Sequence, residues 1–228
     1  MSYKPVPDIV HRPSEALRES TARGDLPPKV LESLESLSMD PSIANVRMSL
    51  KEVFVIDVRD VGRGDIYLVT LVTDGVSPEP MALTIKTFDD IADGEALQLG
   101  PSGLAIYRNP VGTIPRYLDY RIMVVESDQE LRDAGQVIQE IRDDATFKSF
   151  RDNLLGITGA GQPLIALATA AADFSMGLIA RILKMNQDDQ LIYVAGSFDD
   201  VFDDLGVKHG LVSHKNTFAK VSYQVEAG

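Results

Sequence analysis

Between Val53 and Val125 the chain repeats short runs of β-branched and aromatic residues, divided by Gly, Asp or Pro turns too short to hold a helix. The runs are Val53–Val58, Ile66–Thr73, Met81–Phe88, Glu95–Leu99, Leu104–Tyr107 and Leu118–Val125. A parallel crossover needs a dozen or more residues, usually a helix, so neighbouring runs this close pair antiparallel. That spacing narrows the fold to an antiparallel sandwich or barrel.

The pattern breaks inside Leu118–Gly135, where apolar residues give way to a run of acids. Ser127 and Glu130 have capping-box spacing, and Leu131, Ala134, Ile138 and Ile141 mark one helical face. A second helix is predicted over Asp143–Leu155, with Phe147, Phe150 and Leu154 inward, ending at the break Gly156–Gly161. Pro163 then opens a third, running to Lys184. About twenty residues of this apolarity suffice to cross a bilayer. Asp173 and Arg181 interrupt it, however, and a charge at the centre of a membrane helix costs on the order of 2.5–3.5 kcal/mol. The stretch therefore reads as a core helix whose Ala-rich face packs on a sheet.

Strands return at Leu191–Ala195, Val207–Val212 and Thr217–Val225. The last alternates, with Ala219, Val221, Tyr223 and Val225 on one side and Phe218, Lys220, Ser222 and Gln224 on the other, which predicts pairing inside a sheet. The expected fold is α+β and mainly antiparallel: one β-sandwich over residues 49–228 with a helical insertion at about 127–185. Residues 1–48 read as an N-terminal arm broken by Pro5, Pro7, Pro13, Pro27 and Pro28, with short helices at Pro13–Ser20 and Pro28–Leu37. Such an arm is either a tail or a segment that orders against another subunit.

Charge and composition remove several functions. A net charge of −12 over 228 residues argues against a nucleic-acid partner, which requires clustered Lys and Arg, and an anionic membrane would repel the chain unless a cation intervened. The absence of Cys excludes disulfides, thiolate catalysis and Cys-ligated metals. With only His11, His209 and His214, a His-rich metal site or a His-centred triad has little to draw on. The first residues lack the apolar core of a secretory signal, so a cytoplasmic location is expected.

Acidic pairs recur at Asp89-Asp90, Asp143-Asp144, Asp188-Asp189, Asp199-Asp200 and Asp203-Asp204, and the densest cluster is Ser197–Gly206. Calcium takes 6–8 oxygen ligands, so loops rich in carboxylate are its raw material, yet none of these runs has EF-hand spacing. Asp60-Val-Gly-Arg-Gly-Asp-Ile-Tyr-Leu-Val69, followed by Val124-Val-Glu-Ser-Asp-Gln-Glu-Leu-Arg-Asp-Ala-Gly135, resembles the two acidic loops of the calcium-dependent phospholipid-binding sandwich of synaptotagmins and protein kinase C. The resemblance implies a β-sandwich with calcium as cofactor and Asp60, Asp65, Glu126, Asp128 and Asp133 as its ligands. It also implies membrane or protein binding only when calcium is present. Carboxylates in the first turn of a helix are equally accounted for by capping and the helix dipole, with no metal.

Catalytic motifs are thin. Gly156–Gly161 lacks the Gly-Lys-Ser/Thr ending of a phosphate loop, and neither a Gly-x-Ser-x-Gly elbow nor a His-Glu-x-x-His helix occurs. A carboxylate-based hydrolase would need two acids about 5–9.5 Å apart in a cleft. The absence of Trp leaves little for stacking a sugar. The expectation is a non-enzymatic interaction or structural module, one subunit of a larger assembly, with a protein partner or self-assembly and no evident small-molecule substrate. Calcium-regulated binding is the alternative, and the hydrolase comes last.

Overall fold

The structure is a computed structural model that describes residues 4–11, 45–59, 62–74, 81–115, 117–127, 132–149, 164–184, 189–200 and 203–227. Its body is two mainly antiparallel sheets. The first runs β1 (Ile9–His11), β8 (Gln190–Asp199), β7 (Tyr117–Ser127), β3 (Arg63–Thr73) and β4 (Met81–Ala92), in that spatial order. The second runs β5 (Glu95–Ala96), β2 (Val46–Val55), β10 (Ala219–Ala227) and β9 (Leu211–Lys215), and β6 (Leu104–Arg108) shares the β5 side of β2.

Period-two alternation divides each long strand of the first sheet between two apolar clusters. Ile66, Leu68 and Val72 of β3, with Leu118, Tyr120, Ile122 and Val124 of β7, join Ile192, Val194 and Phe198 of β8 in one cluster. The second sheet fills the same cluster from Met48, Leu50, Val53 and Val55 of β2 and from Ala219, Val221, Tyr223 and Val225 of β10. The intervening residues Tyr67, Val69, Leu71, Met123, Val125 and Tyr193 point the other way. There they meet α1 (Ala134–Asp143) and α2 (Leu164–Ile182), whose Val137, Ile141, Met176 and Ile179 are fully buried. Burial of a side chain of this size contributes about 1.5–3 kcal/mol, so these alternating faces are the main source of stability.

Both helices lie between β7 and β8, which are adjacent antiparallel partners, so the helical insertion expected from sequence is observed. Its boundaries shift. Ser127 remains in strand, paired with Asp65, and the helix is capped by Asp133, whose Oδ1 accepts from the Gln136 amide at 3.0 Å. The capping box at Ser127 is thereby corrected: continued pairing with β3 holds Ser127 extended. The second expected helix starts at residue 145 and is described to 149, its Asp144 accepting from the amides of Thr146 and Phe147 at 2.8 and 3.2 Å. No helix among the described residues is long and apolar enough to cross a membrane. The two charges inside α2 have partners, Asp173 meeting Arg121 at 2.9 Å and Arg181 meeting Asp144 at 3.0 Å.

Three further expectations shift. Val207–Val212 is not a strand throughout: Asp204–His209 forms a 3₁₀ turn with φ of +54° at Leu205 and +84° at Gly206, and β9 starts at Leu211. The strand expected at Val53–Val58 begins at Val46, inside the region read as an arm, because Met48 and Leu50 face the shared core. The arm also supplies β1, which pairs parallel to β8 within its own chain as Ile9↔Val194, Val10↔Ala195 and His11↔Gly196. The arm helices at Pro13–Ser20 and Pro28–Leu37 lie outside the described residues.

Candidate functional site

Where the edge strands β1 and β9 meet, the apolar interior gives way to a polar network built from all three histidines of the chain. Tyr120 and Tyr223 point inward from β7 and β10, one from each sheet, and their hydroxyls meet at 2.5 Å. His11 Nδ1 lies 2.9 Å from the Tyr120 hydroxyl and 3.2 Å from that of Tyr223. His214 Nε2, from β9, reaches the Tyr223 hydroxyl at 3.0 Å. The 3₁₀ turn brings the His209 ring to 6.4 Å from that of His11, centre to centre, while His214 stands at 5.2 Å. Phe198 forms the floor, 5.5 Å from the Tyr120 ring and 5.6 Å from that of His11.

Gly196 makes this arrangement possible. It sits in β8 between Tyr120 on one neighbouring strand and His11 on the other. A Cβ here would fall 2.1 Å from the Tyr120 hydroxyl and 2.6 Å from the His11 carbonyl oxygen. Only a residue without a side chain lets the phenol lie across the strand toward His11.

The network has a definite polarity. A chain of donors can run from His214 through Tyr223 and Tyr120 to His11, or in reverse, and either way each phenol donates once and accepts once. Both directions require one terminal imidazole nitrogen to accept, so at least one of His11 and His214 is neutral. Burial, then the nearby His214 and His209, push His11 down to about 4. Burial also lowers His214. Tyr120 and Tyr223 are raised by burial, so both phenols stay protonated at neutral pH and neither is a ready nucleophile. At pH 7 His11 and the two phenols are uncharged, and their hydrogen bonds with His214 clasp four strands of two sheets.

A second polar centre lies on the opposite face of the first sheet. Arg121 is fully buried and pairs with buried Asp119 at 2.6 Å and with Asp173 of α2 at 2.9 Å. Asp119 is the main opposite charge holding the guanidinium in its charged form against burial. The pair anchors α2 to the sheet. Beyond it, Gln136, Gln139, Glu140, Asp143, Asp144 and Ile182 line an open surface depression of about 610 Å³.

The acids singled out from sequence are dispersed in role. Asp65 Oδ1 accepts from the Asp90 amide at 3.0 Å and Asp133 caps α1. Glu126 is buried opposite Ile66, on the shared-core side, while the adjacent pair Asp65↔Ser127 belongs to the other side of the pleat. Asp60 and Asp128 lie outside the described residues. Among the described residues no group of three or more His, Asp or Glu side chains is placed to hold a metal ion. In the Ser197–Gly206 cluster, Asp203 Oδ2 accepts from the Asp199 amide at 3.3 Å and Asp204 pairs with Lys208 at 2.5 Å.

Sequence reading found three histidines too few for a metal site or a triad and did not foresee that they converge: residues 11, 209 and 214 belong to the two edges that the fold brings together. Strand alternation had already set Tyr223 on one face with Ala219, Val221 and Val225. The encounter with His11 was not. No protein-family model matches the chain, and no curated protein matches its sequence.

Proposed function

We propose that the chain is a β-sandwich acting as a non-enzymatic interaction module, a subunit that meets another protein, in the simplest case a copy of itself, along the rim where β1 and β9 meet. The observation that carries this reading is the alternation of the N-terminal segment. Pro5, Pro7, Ile9 and His11 turn inward, while Val6 and Val10 are 70% and 57% exposed. Leu211 at the start of β9 is 60% exposed as well. Large apolar side chains presented along sheet edges are characteristic of strand-mediated association. The uncharged Tyr and His clasp behind them supports the same reading, because it holds the rim in a fixed shape.

The test is the solution mass of the full chain by light scattering, beside a chain that begins at Ala44 and one carrying Val6→Asp and Val10→Asp. Because β2 begins at Val46, a cut later than Asn45 removes strand residues. The full chain is expected to be heavier than a monomer and both variants to be monomeric. Equal monomeric masses for all three would rule out self-assembly through this rim.

A further inference from the structure

We propose that the three histidines form an acid-released latch, in which protonation of the cluster detaches β1 from β8 while the remainder of the two sheets stays folded. The inference is independent of which partner the rim meets. Its basis is geometric. His11 is the only residue of β1 that enters the inter-sheet network, and it does so between two buried phenols. If His11 and His214 are both protonated, both ends of the chain become donors. Two phenols between two donors share only one mutual hydrogen bond, so one buried hydroxyl proton is left with no acceptor in the network. A buried polar group without a partner costs about 1–3 kcal/mol. Two imidazolium rings 5.2 Å apart repel in addition, and the neighbouring His209, with its ring 6.4 Å away, also opposes protonation of His11.

The surroundings provide little to offset those charges. Facing His11 are Tyr120 from β7, Tyr223 from β10, Phe198 and Gly196 from β8, His214 from β9 and His209 from the 3₁₀ turn. Asp203 is the nearby carboxylate, and it lies 3.8 Å from His209. Asp8, on the same extended segment as His11, is directed to the Tyr193 amide at 2.8 Å and to Gln190 at 3.0 Å. Detachment is local because β1 is short. It pairs with β8 over three residues, whereas β7 pairs with β8 over nine and with β3 over nine.

The size of the effect follows from linkage. With His11 titrating at about 4 when docked and near its ordinary 6.5 when free, docking at pH 5 is about 30-fold weaker than at pH 7.5. The Asp8 amide reports docking, since it donates to the Tyr193 carbonyl oxygen at 2.9 Å. Its hydrogen-exchange protection in the full chain, followed by NMR and corrected for intrinsic exchange, is expected to fall about 30-fold between pH 7.5 and pH 5, while amides of β3 keep theirs. His11→Phe keeps a ring in the slot without a titrating group and should abolish the pH dependence. His209→Asn, at an exposed position beside the Phe198 ring, keeps the β1 contacts and should shift the release to lower pH. Loss of less than threefold protection at Asp8, an equal loss in β3, or a His209→Asn protein with an unaltered pH profile would each overturn the proposal.

Discussion

The same substitution, Gly to Ala, is expected to act with opposite sign at two positions, and the contrast tests whether the clasp or local propensity governs stability. At Gly196 the added methyl meets the Tyr120 hydroxyl at 2.1 Å, its Cζ at 2.2 Å and the His11 carbonyl at 2.6 Å. Tyr120 has no room to retreat: it is fully buried, stacked 5.5 Å from Phe198 and tilted against Tyr223 at 5.1 Å. Overpacking a core by one methyl costs about 1–3 kcal/mol, and displacement of the phenol also breaks its bonds to Tyr223 and His11, so about 3 kcal/mol is expected for Gly196→Ala. At Gly177, inside α2, an added Cβ meets nothing within 4 Å. There Ala removes only the helix penalty of glycine, and the protein should gain about 0.5–1 kcal/mol. For a chain of this length each kcal/mol moves the melting temperature by about 2–4 °C, so Gly196→Ala should melt about 6–12 °C lower and Gly177→Ala about 1–4 °C higher. Thermal unfolding followed by circular dichroism reads both. A Gly196→Ala protein within about 2 °C of the parent, or shifts of the same sign at both sites, would refute the reasoning.

Removing the guanidinium beneath α2 by Arg121→Met should cost about 3–5 kcal/mol in urea denaturation, because it leaves Asp119 buried without this cation. Asp173→Asn, whose side chain is 56% exposed, should cost less than about 1 kcal/mol. The pH dependence has a definite sign. His11 is held below its ordinary value in the folded chain, so its contribution is complete above about 6.5 and is lost as pH falls toward about 4. Discounted for partial exposure, the loss is about 1–2 kcal/mol, and His11→Phe should flatten it in chemical denaturation between those pH values. Asp133→Ala should destabilise the protein by about 1 kcal/mol through loss of the α1 cap, equally with millimolar calcium or with a chelator. A calcium-dependent difference in melting temperature would instead mark Asp133 as a ligand.

Strand spacing between Val53 and Val125 determined the antiparallel character of the chain, because the turns are too short for any crossover. Alternation in the last strand likewise placed Ala219, Val221, Tyr223 and Val225 together on one face, and the structure shows that this face is the core side. The apolar Pro163–Lys184 stretch was readable as a core helix for the same reason: its small Ala-rich face and its two charges are properties of adjacent residues. Such features are local, and side-chain pattern alone carries them. What the tertiary structure decided is everything that depends on which edges meet. No local signal joins β1 to β8 across 185 positions, or sets Tyr120 2.5 Å from Tyr223 across 103 positions, because pairing between distant strands is chosen by shape and burial summed over the whole core. The three histidines are unremarkable in one dimension, and only the closing of two sheet edges makes them a cluster.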